Sequence, residues 1–453
     1  MSVKRQVKRS MNRNDTYLIL FLIILFKMLF PLDGLRAAEK PLPIPLMKAI
    51  EIGIQQDSRY KNQLLSESMA HTNRIRATLK KYFNLDLGGS YLYKSETMEI
   101  TFFPGRIIEA GAKNNYDIKV ALTQPLFTGN ILANSIKMEA EKEKAETSKT
   151  EMLKIELAGR IKTSYFTCRL LENKKKTLEV LAENIRLHLK RLHALYAEEQ
   201  IKKSDVIETE MQLAETNMTI EDLNRALTEE KINFKKLSTL DIDAIEPTYT
   251  ESAIGSMDEA LSFFKTQHPV LHSMNQNIQF LVLRKRISSG AYLPQINGFA
   301  EIHYGKPGID FFKNKWSLYF QGGIGVNLKL FDWNQLKYEH AIADKSMEQV
   351  NNQKTDLIAE AEKNLAQLYS RKASLENQLE TLENLMRAAA ENASLKEDLY
   401  KESQISNIDY LSALLTRERY ESLKEEKSVE YQLVKTNINT VIGRTGQSGE
   451  GHE

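Results

Sequence analysis

Two stretches of nearly seventy residues, Ile131–Glu199 and Gln335–Glu402, contain no proline, and Gly159 is the only glycine inside them. As helices rising about 1.5 Å per residue, each spans on the order of 100 Å. A single compact globule has no use for elements of that length. Along the first, Leu171, Leu178, Leu181, Ile185, Leu192 and Leu195 step by three, four or seven. Along the second, Leu375, Leu379, Leu382, Met386, Ala389 and Ala393 do the same. Such a narrow apolar seam on an otherwise polar helix calls for coiled-coil packing.

The chain then repeats itself. Tyr196-Ala-Glu-Glu-Gln-Ile-Lys-Lys-Ser-Asp205 aligns without a gap to Tyr400-Lys-Glu-Ser-Gln-Ile-Ser-Asn-Ile-Asp409. Pro125-Leu-Phe-Thr-Gly-Asn130 aligns to Lys329-Leu-Phe-Asp-Trp-Asn334, and the segment from Gln56 aligns to the segment from Gln267. Each half, 39–237 and 257–446, reads as helix, two strands, very long helix, break, helix, with 238–256 as a linker. The shorter helices are expected over Pro45–Lys80, Met257–Gly290, Ser204–Leu237 and Asn407–Ile442, and the breaks near 200–205 and 403–409. Pairs of shorter helices laid end to end match one long helix, the geometry of a cylinder with continuous and two-part staves.

Four segments, about 82–94, 114–127, 292–304 and 316–329, alternate with period two. Leu85, Leu87 and Tyr91 oppose Asp86, Gly88 and Ser90. Tyr116, Ile118 and Val120 oppose Asp117 and Lys119, and Ile302 and Tyr304 oppose Glu301 and His303. Trp316, Leu318, Phe320 and Ile324 oppose Ser317 and Gln321. Transmembrane barrel strands have this pattern, with aromatic residues at the interfaces. A half-buried sheet in a soluble domain alternates too. No spare amphipathic helix is left to cover such a sheet, which favours the membrane. Polar loops, Lys94–Lys113 and Gly305–Lys315, join the strands of each pair. Four strands cannot close a barrel, and open edges in lipid leave backbone groups unsatisfied, so several chains are expected to share one.

The N-terminus is basic (Lys4, Arg5, Lys8, Arg9, Arg13), then apolar over Tyr17–Phe30 with Lys27 inside, then Leu-Arg-Ala-Ala38. It reads as a signal peptide over 1–38, with an uncleaved anchor as the alternative. The last residues, 447–453, are expected to be a disordered tail. Only 20 of 453 residues are Gly and 10 are Pro, while 27% are charged, a composition of long helices. A net charge of +2 gives no basic field for nucleic acid. The lone Cys168 excludes an intramolecular disulfide and falls on an apolar helical pattern, as a buried small side chain does.

Taken in order, the signal segment, the doubled plan, the Gln124-Pro-Leu-Phe-Thr-Gly129 turn and the two Gln-Ile-x-x-x-Asp breaks resemble the TolC-like outer-membrane efflux protein family over about Pro41–Gly446. The resemblance implies an α+β membrane protein of the Gram-negative outer membrane. It is a homotrimer with a shared twelve-stranded barrel in outer-membrane lipid, extended as a helical tunnel through the periplasm. A periplasmic adaptor and an inner-membrane transporter dock on the tip; the duct is passive, not an enzyme, and needs no cofactor. Asp205, Tyr400 and Ser204 match positions of a network that closes the entrance, and Asp409 matches an acidic ring that binds cations. Gln200, Ile201, Lys202, Lys203, Gln404 and Ile405 fall on the adaptor-contacting tip. The sequence departs from the pattern where Ile405 replaces a latch arginine, Ser412 replaces a second acidic position, and Glu199 and Ser403 replace glycines. Lys202 or Lys203 is an alternative partner for Asp409. Asp205 and Asp409 each follow a break, so helix capping is an alternative role that does not exclude one in the pore.

His268 and His272 have metal-ligand spacing but no third ligand, and a solvent-exposed pair is the expectation. His188 and His193 do not share a helix face. No phosphate-binding glycine loop or nucleophile elbow is present. A coiled-coil adaptor would need a compact Gly- and Val-rich domain, and an anchored enzyme a catalytic constellation in a loop-rich domain; neither is seen. The cargo is left open: drugs, metals, siderophores and polypeptides all fit such a duct.

Overall fold

The computed structural model describes residues 43–445 apart from 104, 105, 253, 254, 311 and 403, and only the backbone of 101–110. The expected signal peptide and tail, and Ser403, lie outside the described residues. The chain begins with α1 (Leu46–Gln56) and α2 (Ser58–Leu79), then β1 (Asn84–Tyr93), β2 (Met98–Phe103), β3 (Arg106–Ala110) and β4 (Asn114–Thr128). The 67-residue α3 (Ile131–Ala197) and the 36-residue α4 (Lys203–Ser238) follow. After the linker come α5 (Met257–Gln267), α6 (Pro269–Gly290), β5 (Gln295–Lys306) and β6 (Ser317–Asn327). The 67-residue α7 (Gln335–Lys401) and the 36-residue α8 (Asn407–Ile442) complete the chain.

Two readings of secondary structure are corrected. The helices read over 45–80 and 257–290 are each broken once, at Asp57 and His268. Both break residues are extended and cap the next helix. Asp57 Oδ1 accepts from the Arg59 and Tyr60 amides, and His268 Nδ1 accepts from the Val270 amide. Pro269 then sits where a missing amide costs nothing. This role also buries His268, contrary to the exposed pair expected. Burial pushes its pKa down to about 4, so it stays neutral near pH 7. The second correction concerns the segment 94–113, expected as a polar loop, which instead folds as the antiparallel ribbon β2–β3.

Strands β1, β4, β5 and β6 form one antiparallel sheet in that order, leaving β1 and β6 as its edges. Pro125 cannot donate to the ladder, and the β4–β5 register shifts there so that Leu126 is left over. Each strand enters its long helix through two successive left-handed residues, Gly129-Asn130 and Trp333-Asn334. At Gly129 the requirement is absolute, because a Cβ would lie 2.2 Å from the Gly290 carbonyl oxygen at the end of α6.

Helix α3 packs on α2 and α6 near the sheet and on α4 and α8 further away; α7 packs beside α6 and then α8. The staves therefore run α2, α3, α6, α7 in one tier and α4, α3, α8, α7 in the other. The main core lies where the tiers meet. Leu46, Ile50, Ile161, Tyr165, Phe166, Cys168 and Phe234 pack there with Ile242 and Ile245 of the linker. Burial raises the Cys168 thiol to about 12, so it is an inert packing group, as its apolar surroundings in the sequence imply. Lys162, almost wholly buried at this level, bonds Glu251 of the linker at 2.8 Å and the Thr445 carbonyl at 2.8 Å. Asn439 donates to the same Glu251 oxygen at 2.6 Å.

Candidate functional site

The sheet register gathers most of the apolar side chains onto one face, with Leu92 and Phe299 left on the other. Leu87 faces Val120, Val120 faces Ile302, and Ile302 faces Phe320, a continuous apolar row across four strands. Rows on either side hold Leu85, Leu122, Ala300 and Gly322, and Gly89, Ile118, Tyr304 and Leu318. This face is bare: Leu87 is 77% exposed, Phe320 67% and Ile324 68%. At the loop end an aromatic cluster closes it, with Tyr91 5.1 Å from Tyr116, Tyr116 5.8 Å from Trp316, and Tyr304 stacked on Trp316 at 4.9 Å. At the helix end stand exposed Tyr82, Phe83, Phe127, Phe331 and Trp333. Aromatic belts at both margins of an apolar band are the mark of a lipid-facing strand surface.

The opposite face is polar and internally paired. His303 lies 3.0 Å from Asp117 through Nδ1 and 3.2 Å from Glu301 through Nε2, and stacks flat on Tyr319 at 4.7 Å. Lys119 bonds Glu301 at 3.0 Å and Gln321 donates to it at 2.5 Å. These part-exposed charges are paired with one another around the buried His303 ring. Among the described residues no cluster is suited to a metal ion, and no helix is long and apolar enough to cross a membrane.

The second candidate region is the helical tip, where α3 turns into α4 and α7 into α8. The described residues of the two breaks make the same hydrogen bonds. The Gln200 amide bonds the Leu195 carbonyl, and the Gln404 amide bonds that of Leu399. The side chains of Gln200 and Gln404 donate to Glu198 and Glu402 at 2.9 and 2.8 Å. Glu199 takes a left-handed φ of 57°, which explains why glycine suits this break. Gln200, Lys202, Lys203 and Gln404 are exposed, and Ile201 is half-buried. Ile405 packs with Leu178, Leu213, Tyr400 and Leu415 around buried Leu181, Ile185, Tyr410 and Leu414. An apolar contact thus occupies the place where the family resemblance implies a charged latch.

Neither aspartate is an N-cap. Both stand at the third helical position, behind Lys202 and Ser406. Asp409 completes a capping box: its amide bonds Ser406 Oγ at 3.2 Å, and the Ser406 hydroxyl and amide donate to its carboxylate at 2.6 and 3.4 Å. The Ser406 bonds hold the exposed Asp409 carboxyl below the usual range, so it remains ionised. Its nearest cation is Lys396 at 3.9 Å, rather than Lys202 or Lys203. On the first-half side, Lys202 has no acceptor to offer as a cap, and Ser204 Oγ lies 3.5 Å from Asp205. Burial, and then the charge of Asp205, raise the Tyr400 hydroxyl pKa.

The sequence reading missed the groups that join the tip helices. Asn407 Nδ2 donates to the Asp205 carbonyl at 3.3 Å and to Thr209 Oγ1 at 3.1 Å, while its Oδ1 meets His188 Nε2 at 2.6 Å. His188, Thr209 and Asn407 are all buried. The His188 ring lies edge-on to Tyr400 at 5.0 Å and Tyr410 at 4.8 Å, and the two tyrosines stack at 5.3 Å. The only sequence signal was a polar residue on the apolar seam beside Ile185 and Leu192.

Residues 267–439 match the family model described as outer membrane efflux protein. No curated protein sequence matches the chain. Among solved structures, the outer membrane protein VceC of Vibrio cholerae aligns with a TM-score of 0.72 at 13% identity, covering 88% of this chain and 96% of its own. The open-state MtrE outer membrane channel of Neisseria gonorrhoeae aligns at 0.69 and 14%, covering 88% and 89%. The CmeC outer membrane channel of Campylobacter jejuni aligns at 0.68 and 12%, covering 90% and 87%. The family match and the shared fold bear out the resemblance read from the sequence.

Proposed function

We propose that this chain, an outer-membrane protein similar to the outer membrane efflux proteins in family model and in fold, is one protomer of a passive exit duct. It reaches from the outer membrane into the periplasm and is a transport channel rather than an enzyme. One observation carries the reading furthest: the four-stranded sheet has a bare apolar face between aromatic margins and two unpaired edges. In lipid each unsatisfied edge group costs several kcal/mol, so the edges pair with other copies. The free flanks agree with this. Strand β1 follows the outermost stave α2 and β6 leads toward the opposite outermost stave α7, so each copy offers a free flank on either side to its neighbours. Three copies give twelve strands, above the minimum of about eight for a closed barrel. The tips then form the periplasmic entrance, where an adaptor and an inner-membrane transporter would dock on Gln200–Lys203 and Gln404–Ile405 to make a tripartite efflux or secretion system.

Two measurements bear on this. Extracted in detergent from the outer-membrane fraction, the protein is expected to show a native mass of three chains, resistant to mild denaturant; a monomer would refute the shared barrel. In lipid bilayers, Asp409→Ala is expected to weaken block by multivalent cations, since a ring of exposed carboxylates in a narrow pore favours them. Unchanged block would leave Asp409 with its capping box alone.

A further inference from the structure

We propose that His188 is an acid-sensitive latch on the helical tip, a regulation that rests on the exit-duct reading: a proton arriving at its Nδ1 unties α3 from α4 and α8 and lets the entrance open. The geometry fixes which nitrogen is available. Both protons of the Asn407 amide are committed, to the Asp205 carbonyl and to Thr209, so its Oδ1 can only accept. His188 Nε2 therefore donates to it, and Nδ1 is left as a bare acceptor. That Nδ1 is buried and has no hydrogen-bond partner. The ring stands edge-on to Tyr400 and Tyr410, and Tyr410 belongs to the apolar cluster of Ile185 and Leu414. A second proton would place a cation there with no acceptor in reach, the costly case of a buried uncompensated charge.

Among the described residues no carboxylate forms an ion pair with His188. Arg191 on the same helix disfavours the imidazolium. Asp205 on α4 acts on Tyr400, and Glu397, Lys401 and Arg417 act on Tyr410. Lys396 and Asp409 face each other. Burial accordingly holds His188 below the ordinary histidine value, against the pull of the Asn407 bond. The sign follows. A histidine depressed in the closed tip stabilises that tip fully above about pH 6.5, and the stabilisation is lost as pH falls from there through the depressed value. The closed-to-open ratio drops by up to about tenfold per pH unit in each protomer across that window.

The test is single-channel conductance of the purified full-length assembly in planar bilayers. Lowering the tip-side pH from about 7.5 to about 5.5, across the ordinary histidine range, is expected to raise wild-type conductance. His188→Gln keeps an amide donor for Asn407 but cannot charge, and should hold its neutral-pH conductance at both values. Asn407→Ala should conduct highly at both. An equal rise in wild type and His188→Gln, or no rise in wild type, overturns the latch. Failure to form any channel counts against the duct reading instead. Hydrogen exchange then reads the latch: protection over 183–192 and 406–412, relative to 365–375, should fall below about pH 6.5 in wild type and not in His188→Gln. Absence of that fall overturns the proposal too.

Discussion

Phe320→Arg is expected to cut the yield of assembled outer-membrane protein at least tenfold. Phe320 ends the row Leu87, Val120, Ile302, Phe320, midway between the two aromatic margins, and stays 67% exposed among the described residues. An arginine near the bilayer midplane on the lipid face of a barrel costs about 2–4 kcal/mol, and the proposed three-chain barrel would carry it three times. Ser90→Arg supplies the control. Ser90 lies on the paired polar face opposite Asp117, where a cation meets a carboxylate and water. Its assembly should stay within about twofold of wild type, within the usual scatter for a harmless surface change. Heat-resistant trimer in the membrane fraction is the readout. Normal assembly of Phe320→Arg would mean that the bare face is covered by something other than lipid.

Lys162→Ala is expected to destabilise the helical region by about 3–5 kcal/mol, the usual cost of breaking a buried pair from one side. Glu251 would keep its bond from Asn439 but lose its ion pair with Lys162, leaving only the more distant charge of Lys435, while remaining sealed in the core. Replacing both partners, as Lys162→Met with Glu251→Leu, removes the stranded charge and should recover most of that loss. Chemical denaturation followed by helical circular dichroism measures both. Equal destabilisation by the single and double variants would show that packing rather than charge sets the cost. The consequence for function is geometric. Glu251 is the point where the linker grips α3 and α8, so it sets how the staves of the two tiers align.

Much of the architecture was legible because it is periodic. The long helices announce themselves through an unbroken seam and the absence of proline, and the strands through alternation that the register then gathers onto one face. The membrane reading needed only the count of what was left to cover that face. Local chemistry that depends on one residue was harder to read. Asp57 and His268 look like interior helical residues until their side chains are seen capping the following helix. Asp409 was read one role away from its capping box, because the cap at Ser406 and the acid at the third position are a pair whose phase depends on where the helix starts. The segment 94–113 is polar enough to pass for a loop, yet its two runs pair with each other.

The sequence by itself determined the periods, the breaks and the sidedness, since these follow from which side chains tolerate water along one strand or one helix. Only the tertiary structure decided which polar groups from distant segments meet. Lys162 and Glu251 are 89 positions apart, and His188 and Asn407 are 219 apart. No periodicity links them. Each is buried in the fold, and its meaning depends on the partner that packing delivers, because a buried polar group is costly alone and specific when paired.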